Sequence, residues 1–318
     1  MKAALLSAPK TIELIDRELP PPGEGEVLIA ISQCGVCTSE LDVWEGKSPE
    51  KLPMEIGHEI AGIVEQVGQR VEGLRAGDSV VAWVPGGGFA EQIVVPERHC
   101  IAVAPDLAYP AVAEPLACIV NSVQLAAPAL GDDVLIIGGG FMGSLLQMVS
   151  ELRGPRSVIV ADVRPDALQR ARELGATRVV NSAEESLTDV VAELTGGSGV
   201  DLTYEVTGVA AGLDLAGEAT RMSGKIAIVG YHQGGPRALA LGRWNWMAYE
   251  IVNAHFRDVE TIMAGMRAGM RLLEAGAIEP SSLISDRYPL ADVGAAFERA
   301  GSRAAGFTKA LVELGGVR

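Results

Sequence analysis

The chain has 318 residues, of which 48% are hydrophobic, so it is long enough for two hydrophobic cores and we expect two domains. Its formal charge of −15 and its pI near 4.8 argue against nucleic acid or an anionic membrane as a partner. Residues 1–6 are too short an apolar run for a signal peptide, and four cysteines do not make a disulfide scaffold. We therefore expect a reducing, cytoplasmic location.

The first hundred residues predict a compact β-rich domain. Short apolar or alternating runs are separated there by glycine and proline, which is typical of strands joined by turns. The predicted strands are 27–31, 60–64, 79–83 and 91–95.

The pattern changes near residue 120, where apolar strands begin to alternate with helices. This alternation predicts a doubly wound parallel sheet. The predicted strands are 134–137, 158–161, 179–180, 202–206, 225–229 and 250–254. The predicted helices include one that ends near residue 152, one from 165 to 174, one from 259 to 274 and one from 291 to 299. A terminal strand, 309–312, is expected to return to the first domain.

A glycine-rich loop follows the first strand of this series. Gly138, Gly140 and Gly143 lie between that strand and a helix, where glycines permit a tight turn, close approach to a pyrophosphate and close packing of the helix. Asp162 ends the next strand, and a carboxylate there binds ribose hydroxyls and repels a 2′-phosphate, which favours NAD over NADP. Arg164 lies nearby and weakens that preference. The alternative is a glycine-rich turn with a surface aspartate.

Three separated segments supply candidate metal ligands: Cys37, His58 with Glu59, and Glu114. A thiol, an imidazole and carboxylates together suit zinc. Alternatively, Cys37 and Cys34 form a redox pair, although the βαβ setting of such pairs is missing, and a lone histidine is more often structural. Zinc and a dinucleotide in one chain point to hydride transfer to or from an alcohol.

Together these motifs resemble those of the zinc-dependent medium-chain dehydrogenase/reductase family, and most of all its sorbitol and other polyol dehydrogenases. The matching segments are 34–40, 57–59, 114–116, 138–143 and 205–208. The resemblance covers essentially the whole chain. It implies an α/β protein in which residues 1–120 and 256–318 form a GroES-like, zinc-binding catalytic domain and residues 121–255 form a Rossmann NAD-binding domain.

The resemblance also implies roles for individual residues. Cys37 and His58 would ligate one catalytic zinc, with Glu59 and Glu114 competing for the remaining protein position. Ser39 would hydrogen-bond the substrate alcohol. The implied cofactor-binding residues are Gly138, Gly140, Phe141, Met142, Gly143, Asp162, Arg164, Val206, Thr207, Gly230, Tyr231 and Lys309, the last of which would also face Glu59.

The chain departs from the family at three places. Residues 84–89 directly bridge the region where the family carries a four-cysteine lobe for a structural zinc, so we expect no second zinc. Asp42 stands where the family often has a proton-relaying histidine. Thr38 stands where some alcohol dehydrogenases have an arginine for the pyrophosphate.

The leading hypothesis is a zinc-dependent alcohol dehydrogenase that transfers hydride between NAD and a secondary alcohol, namely a polyol, cyclitol or sugar derivative. Residues 250–254 are expected to form a free sheet edge, which favours a homodimer or homotetramer. The alternatives are a zinc-free quinone or enone reductase on the same fold and a non-catalytic NAD-binding protein. His232 and His255 follow strand ends near the expected cofactor site, and for each the alternatives are a role in that site and an ordinary polar loop residue.

Overall fold

The computed structural model describes residues 1–107, 110–302 and 304–315. Contacts divide the chain into two compact units. The first unit comprises Met1–Ala117 and Ile262–Arg318, and the second comprises Cys118–Thr261. Among the described residues, no helix combines the length and hydropathy that crossing a bilayer requires.

The amino-terminal part of the chain is mostly strand. Its elements are β1 (Lys2–Ala8), β2 (Thr11–Asp16), β3 (Glu26–Gly35), α1 (Leu41–Trp44), β4 (Glu59–Val67), β5 (Ser79–Trp83), β6 (Gln92–Pro96), β7 (Cys100–Ala102) and α2 (Ala113–Ala126). Short 3₁₀ turns lie at Thr38–Glu40, Glu97–His99 and Pro110–Val112.

The middle of the chain alternates strands and helices. Its elements are β8 (Asp133–Ile137), α3 (Phe141–Glu151), β9 (Ser157–Asp162), α4 (Pro165–Glu173), β10 (Arg178–Asn181), α5 (Leu187–Thr195), β11 (Val200–Glu205), α6 (Ala210–Ala219), β12 (Thr220–Ile228), α7 (Leu241–Trp246) and β13 (Glu250–Asn253). The chain then continues through α8 (Val259–Glu274), β14 (Ile284–Pro289), α9 (Val293–Ser302) and β15 (Lys309–Glu313), with 3₁₀ turns at Ser281–Leu283 and Leu290–Asp292.

The second unit is built on a parallel sheet with the strand order β10-β9-β8-β11-β12-β13 in the described residues. The chain leaves β8 toward one edge through β9 and β10, and then returns to continue on the other side with β11. This reversal produces a topological switch point between β8 and β11, which is where open α/β sheets bind ligands. The predicted doubly wound sheet is confirmed.

The first unit is built on a sheet with the order β14-β15-β3-β4-β5-β7, in which β6 also pairs with β3. Strand β15 pairs antiparallel with β3 through Leu311 and Gly35, so the prediction that the terminal strand returns to the first unit is confirmed. The sequence did not predict β1 and β2, which form a separate hairpin. Four of the six residues of β2 are exposed, and such a strand carries a weak apolar signal.

Each unit has its own apolar core. In the first unit, Phe297 from α9 stacks on Trp44 at 5.9 Å and contacts Phe89 edge-on at 5.7 Å, measured between ring centroids. In the second unit, a cluster of mainly aliphatic residues packs alternate strand positions, such as Leu135 and Ile137, against helices α5 and α6. This agrees with the low aromatic content of the chain, and it leaves the polar groups to collect at strand ends.

Candidate metal centre and dinucleotide site

Strand register brings the candidate metal ligands together. In the antiparallel pair β3–β4, Gly35 at the end of β3 lies opposite Glu59 at the start of β4. Cys37 follows β3 by two residues and His58 immediately precedes β4. Residues far apart in sequence therefore meet at one end of this strand pair.

The donor atoms of Cys37, His58 and Glu59 lie within 4.8 Å of one another. Bonds of about 2.0–2.3 Å from a tetrahedral zinc would hold such donors roughly 3.3–3.8 Å apart, so a contraction of about 1 Å would complete the site. Sulfur, imidazole and carboxylate donors also match the ligand chemistry of zinc. The residues present therefore fit a zinc ion.

Glu114, the second residue of α2, is outside this cluster in the described part of the chain. Its negative charge nevertheless contributes to raising the pKa of Lys309, which places it in the electrostatic surroundings of the cluster. The structure thus groups Glu59, and not Glu114, with the thiol and the imidazole.

Ser39 and Asp42 lie just beyond Cys37. The Ser39 hydroxyl donates to Cys37 Sγ at 3.1 Å, so it lies beside a candidate ligand atom. Asp42 lies within the short helix α1, where its backbone carbonyl accepts from Lys47 and Ser48 N–H at 2.7 and 3.1 Å. Of the two, Ser39 has the hydroxyl next to the metal donors.

Glu40 is a candidate site residue to which the sequence alone assigned no role. Its side chain is buried, and its Oε1 atom lies 3.2 Å from His58 Nδ1 and accepts from Gly57 N–H at 2.7 Å. A carboxylate on one imidazole nitrogen fixes the ring orientation and leaves the other nitrogen for a metal. The available signal was an acidic residue three positions after Cys37.

Burial and the neighbouring side chains act in opposite directions on the ionisation of His58. Burial opposes the charged imidazolium, but the hydrogen bonds and charges of Cys37 and Glu40 outweigh burial and raise the pKa of His58 well above its usual range. A histidine must give up this proton to become a metal ligand, so zinc binding would release it.

Lys309 forms a buried ion pair with Glu59. Its Nζ atom donates to Glu59 Oε1 at 2.7 Å, and the residues are 4% and 0% exposed. Burial acts to lower the pKa of Lys309, but the charges of Glu59, Cys37 and Glu114 outweigh it and raise that pKa. Gly35 provides the space, because a Cβ atom there would overlap Glu59 Oε2.

Cys34 differs from Cys37 although the two are close in sequence. It is fully buried, and burial, followed by the charges of Glu40 and Glu59, raises the pKa of its thiol well above the usual range. Both cysteines are free thiols.

Residues 84–89 follow β5, and Gly88 N–H donates to the carbonyl of Gly57 at 2.9 Å.

In the second unit, the glycine loop has the geometry of a phosphate loop. Gly138 follows β8 with φ of +107°, a conformation that side chains rarely adopt. Helix α3 begins at Phe141, which is followed by Met142, and Gly140 is its N-cap. A Cβ atom at Gly143 would overlap the Gly138 carbonyl oxygen, so the helix can pack closely only with glycine there. The amino end of α3 thus presents backbone N–H groups and a positive dipole to an anion.

Asp162 organises this loop from the end of β9. Its Oδ2 atom accepts from Gly139 N–H at 2.8 Å and its Oδ1 atom accepts from Arg164 N–H at 2.9 Å. The Arg164 guanidinium lies at longer distances, 3.4 and 3.5 Å, from the same oxygens. The sequence analysis missed Arg170, whose buried guanidinium donates to the Gly139 carbonyl at 3.0 Å and to Ser144 Oγ at 3.2 Å.

The other predicted cofactor residues lie at the carboxyl ends of β11 and β12. Val206 and Thr207 directly follow β11, and Val206 N–H donates to the Ile137 carbonyl of β8 at 2.9 Å. Gly230 follows β12, and Tyr231 is 50% exposed. Together with the glycine loop after β8, these segments lie at one edge of the parallel sheet, on both sides of the switch point.

Comparison with known proteins agrees with this arrangement. Residues 23–106 match the family model "Alcohol dehydrogenase GroES-like domain", and residues 142–262 match "Zinc-binding dehydrogenase". The chain is 30% identical to the L-threonine 3-dehydrogenase of Paraburkholderia phytofirmans over 264 residues, which cover 72% of this chain and 77% of that protein. The chain belongs to the zinc-dependent medium-chain dehydrogenase family. This dehydrogenase is therefore an oxidoreductase that acts on CH–OH groups, as its sequence motifs predicted.

Solved structures support the same fold for the dehydrogenase. The 2R,3R-butanediol dehydrogenase of Bacillus subtilis matches with a TM-score of 0.87 and 26% identity, covering 98% of this chain and 99% of that chain. A protein of Sinorhizobium meliloti 1021, described as a zinc-binding dehydrogenase and bound to NADP, matches with a TM-score of 0.88 and 26% identity, covering 98% of each chain. The predicted α/β class with a GroES-like part and a Rossmann part is confirmed.

Proposed function

We propose that this dehydrogenase is an NAD-dependent enzyme with one catalytic zinc, and that it oxidises a secondary alcohol or reduces the corresponding ketone. The observation that carries the proposal is the cluster of Cys37, His58 and Glu59 donor atoms within 4.8 Å in a chain that also forms a dinucleotide loop. In this proposal the first unit provides the metal and alcohol site, and the second unit binds the dinucleotide.

The residues of the first unit have distinct roles in this proposal. Cys37 and His58 hold the metal together with a carboxylate, either Glu59 or Glu114. When bound, zinc polarises an alcohol oxygen and lowers the pKa of its hydroxyl, which favours hydride loss from the neighbouring carbon. Ser39 hydrogen-bonds the substrate hydroxyl and relays its proton, accepting it while passing its own hydroxyl proton on toward solvent.

The preference for NAD rests on Asp162. A carboxylate has about four lone-pair positions, and the two long contacts to the Arg164 guanidinium are the ones that ribose hydroxyls could replace. A 2′-phosphate would meet the negative charge of Asp162, whereas Arg164 would attract it. The similar protein of Sinorhizobium meliloti is bound to NADP, so the preference of this dehydrogenase between NAD and NADP has to be measured. We expect repulsion of the 2′-phosphate by Asp162 to outweigh its attraction by Arg164, because backbone N–H groups hold the Asp162 oxygens in place.

We propose a polyol, cyclitol or sugar derivative as the substrate class. Two similar proteins are named as dehydrogenases of L-threonine at position 3 and of 2R,3R-butanediol, both of which have a hydroxyl on a secondary carbon next to another polar group. Membership in the dehydrogenase family makes a small molecule the expected partner, and the net charge of −15 argues against nucleic acid or an anionic membrane. The proposed location is the cytoplasm.

We further propose a homodimer or homotetramer built on the edge of the second unit's sheet. Strand β13 is the last strand of that sheet in the described residues, and Ile251 on it is 45% exposed. Leu241 and Trp246 of the preceding helix are 56% and 79% exposed. Apolar side chains along an unpaired edge favour pairing with a second copy. Sedimentation should give a dimer or larger assembly, and a monomer at micromolar concentration would contradict it.

The proposed function is tested by combining metal analysis with NAD reduction on a panel of secondary alcohols, including polyols and cyclitols. One zinc per chain together with activity on a secondary alcohol supports the proposal. Activity on quinones or enones without zinc would favour the reductase alternative. NAD binding without turnover of any alcohol or ketone would favour the non-catalytic alternative.

A further inference from the structure

A buried carboxylate joins the two strand ends that flank the proposed nicotinamide region. Glu205, the last residue of β11, is 0% exposed. Its Oε1 atom accepts from Thr207 N–H at 2.7 Å, from Gly208 N–H at 3.0 Å and from the Thr207 hydroxyl. One oxygen of Glu205 therefore holds the whole turn that follows β11.

The second oxygen of Glu205 reaches the segment after β12. Its Oε2 atom lies 2.8 Å from His232 Nε2, and the side chain of His232 is only 15% exposed. Gly230 and Tyr231 lie between β12 and His232, and a Cβ atom at Gly230 would lie 2.7 Å from Glu205 Oε2. The carboxylate is therefore packed against this segment as well as hydrogen-bonded to it.

The stability of the fold alone does not explain why His232 is buried as it is. Its other ring nitrogen, Nδ1, is buried and has no hydrogen-bond partner. A buried polar atom without a partner destabilises a folded protein, so groups of this kind call for an explanation beyond packing. The position of His232, at the carboxyl ends of the strands where such sheets bind ligands, provides one.

We propose that Glu205 and His232 are a positioning pair for the nicotinamide end of the bound dinucleotide. Glu205 fixes the turn with Val206 and Thr207 through one oxygen, and through His232 it fixes the segment with Gly230 and Tyr231. Neither side chain of the pair needs to touch the cofactor. This inference rests on the proposed function, because all four are predicted cofactor-binding residues and the family resemblance places Val206, Gly230 and Tyr231 beside the nicotinamide.

The test compares two ligands that differ in the nicotinamide. NADH contains it, whereas ADP-ribose has the same adenosine and pyrophosphate but lacks it. Equilibrium dissociation constants for both are measured by calorimetry on the zinc-loaded protein and on His232→Ala. Because the loss of one ordering hydrogen bond corresponds to a factor of about five to ten in affinity, we expect NADH to bind about fivefold to tenfold more weakly and ADP-ribose to bind unchanged.

A second variant keeps the inference testable if His232→Ala fails to fold. In Glu205→Gln the amide oxygen can still accept from the Thr207 and Gly208 N–H groups while the amide nitrogen faces His232. We expect a smaller loss of NADH affinity than in His232→Ala, with ADP-ribose binding again unchanged. Equal weakening of both ligands in both variants would indicate a merely structural role and would overturn the inference.

The same strand provides a matched control. Asp201, at the amino end of β11, also pairs with a basic side chain, since Arg221 Nε lies 2.7 Å from its Oδ1 atom, and it accepts from Asp133 N–H at 2.8 Å. Asp201→Asn should leave the ratio of the two affinities at the wild-type value. An unchanged ratio in His232→Ala and Glu205→Gln would also overturn the inference. Failure of the wild-type protein to bind either ligand would instead overturn the proposed function.

Discussion

The two units build their candidate sites from different materials. In the first unit the candidate site consists of side chains from two segments, Cys37 and His58–Glu59, and the buried ion pair between Lys309 and Glu59 helps to hold them in place. In the second unit the candidate site is mostly backbone, and carboxylates such as Asp162 and Glu205 hold the loops by accepting from main-chain N–H groups.

Because of this difference, we expect substitutions in the two units to differ in how strongly they reduce activity. A side chain that donates an electron pair to a metal has no substitute nearby, so its loss removes the chemistry. A loop that binds its ligand through backbone groups keeps those groups when one supporting side chain is changed, so its ligand binding should be weakened but not abolished. We therefore expect effects on turnover and metal content in the first unit and graded effects on cofactor binding in the second.

The largest effect is expected for Cys37→Ser. Loss of the thiolate should remove zinc and reduce activity by at least about a thousandfold, because the proposed metal provides the main stabilisation of charge on the alcohol oxygen. Metal analysis and turnover of the purified variant measure both effects. Cys34→Ala is the control, because that buried thiol lies outside the donor cluster and its loss should leave zinc bound. Full zinc content in Cys37→Ser would refute the ligand assignment.

Ser39→Ala should reduce turnover strongly while zinc stays bound. A hydroxyl that transfers a proton in the chemical step contributes roughly 10²–10⁴-fold, and Ser39 is placed beside a candidate ligand atom. Asp42→Asn should have a mild effect, mainly on the pH profile. Turnover of both variants is measured across pH, with metal content checked. A fully active Ser39→Ala enzyme would move the proton path to Asp42, Glu59 or solvent.

Lys309→Met should destabilise the first unit. It would leave the Glu59 carboxylate buried without its cation, and breaking a buried ion pair costs about 3–5 kcal/mol in the free energy of unfolding. Guanidinium unfolding of the variant measures the loss. Arg178→Met is the control, because water screens the exposed pair of Arg178 and Glu185 and its loss should matter far less. Equal stability of the two variants would show that the buried pair contributes no special stability.

The smallest effect is expected for Asp162→Ala. The variant loses hydrogen bonds to the ribose and the repulsion of a 2′-phosphate, so the preference for NAD over NADP should fall by about 10–100-fold. The ratio of kcat/KM for the two cofactors measures this change. Arg164→Ala should shift the ratio the other way by removing the basic group beside the same oxygens. A wild-type enzyme that works better with NADP would contradict the prediction.

Much of the architecture could be predicted from local pattern. The strand 79–83 and the helix 259–274 agree residue for residue with β5 and α8, because a buried strand is a continuous apolar run and an amphipathic helix has a periodic apolar pattern. The dinucleotide loop could also be predicted, since its function depends on glycine at fixed spacing after an apolar strand. The hairpin β1–β2 was missed because its outer strand is largely exposed.

The candidate metal ligands could be nominated from the sequence, because thiol, imidazole and carboxylate are a restricted set of donors. The register of β3 and β4 places Glu59 within 4.8 Å of the Cys37 and His58 donor atoms, a proximity that only the tertiary structure shows. The contacts of Glu40 with His58 and of Glu205 with His232 likewise depend on tertiary structure. Local sequence determines what a strand or loop is, whereas contacts between side chains distant in sequence depend on how strands pair, and no local pattern encodes that pairing.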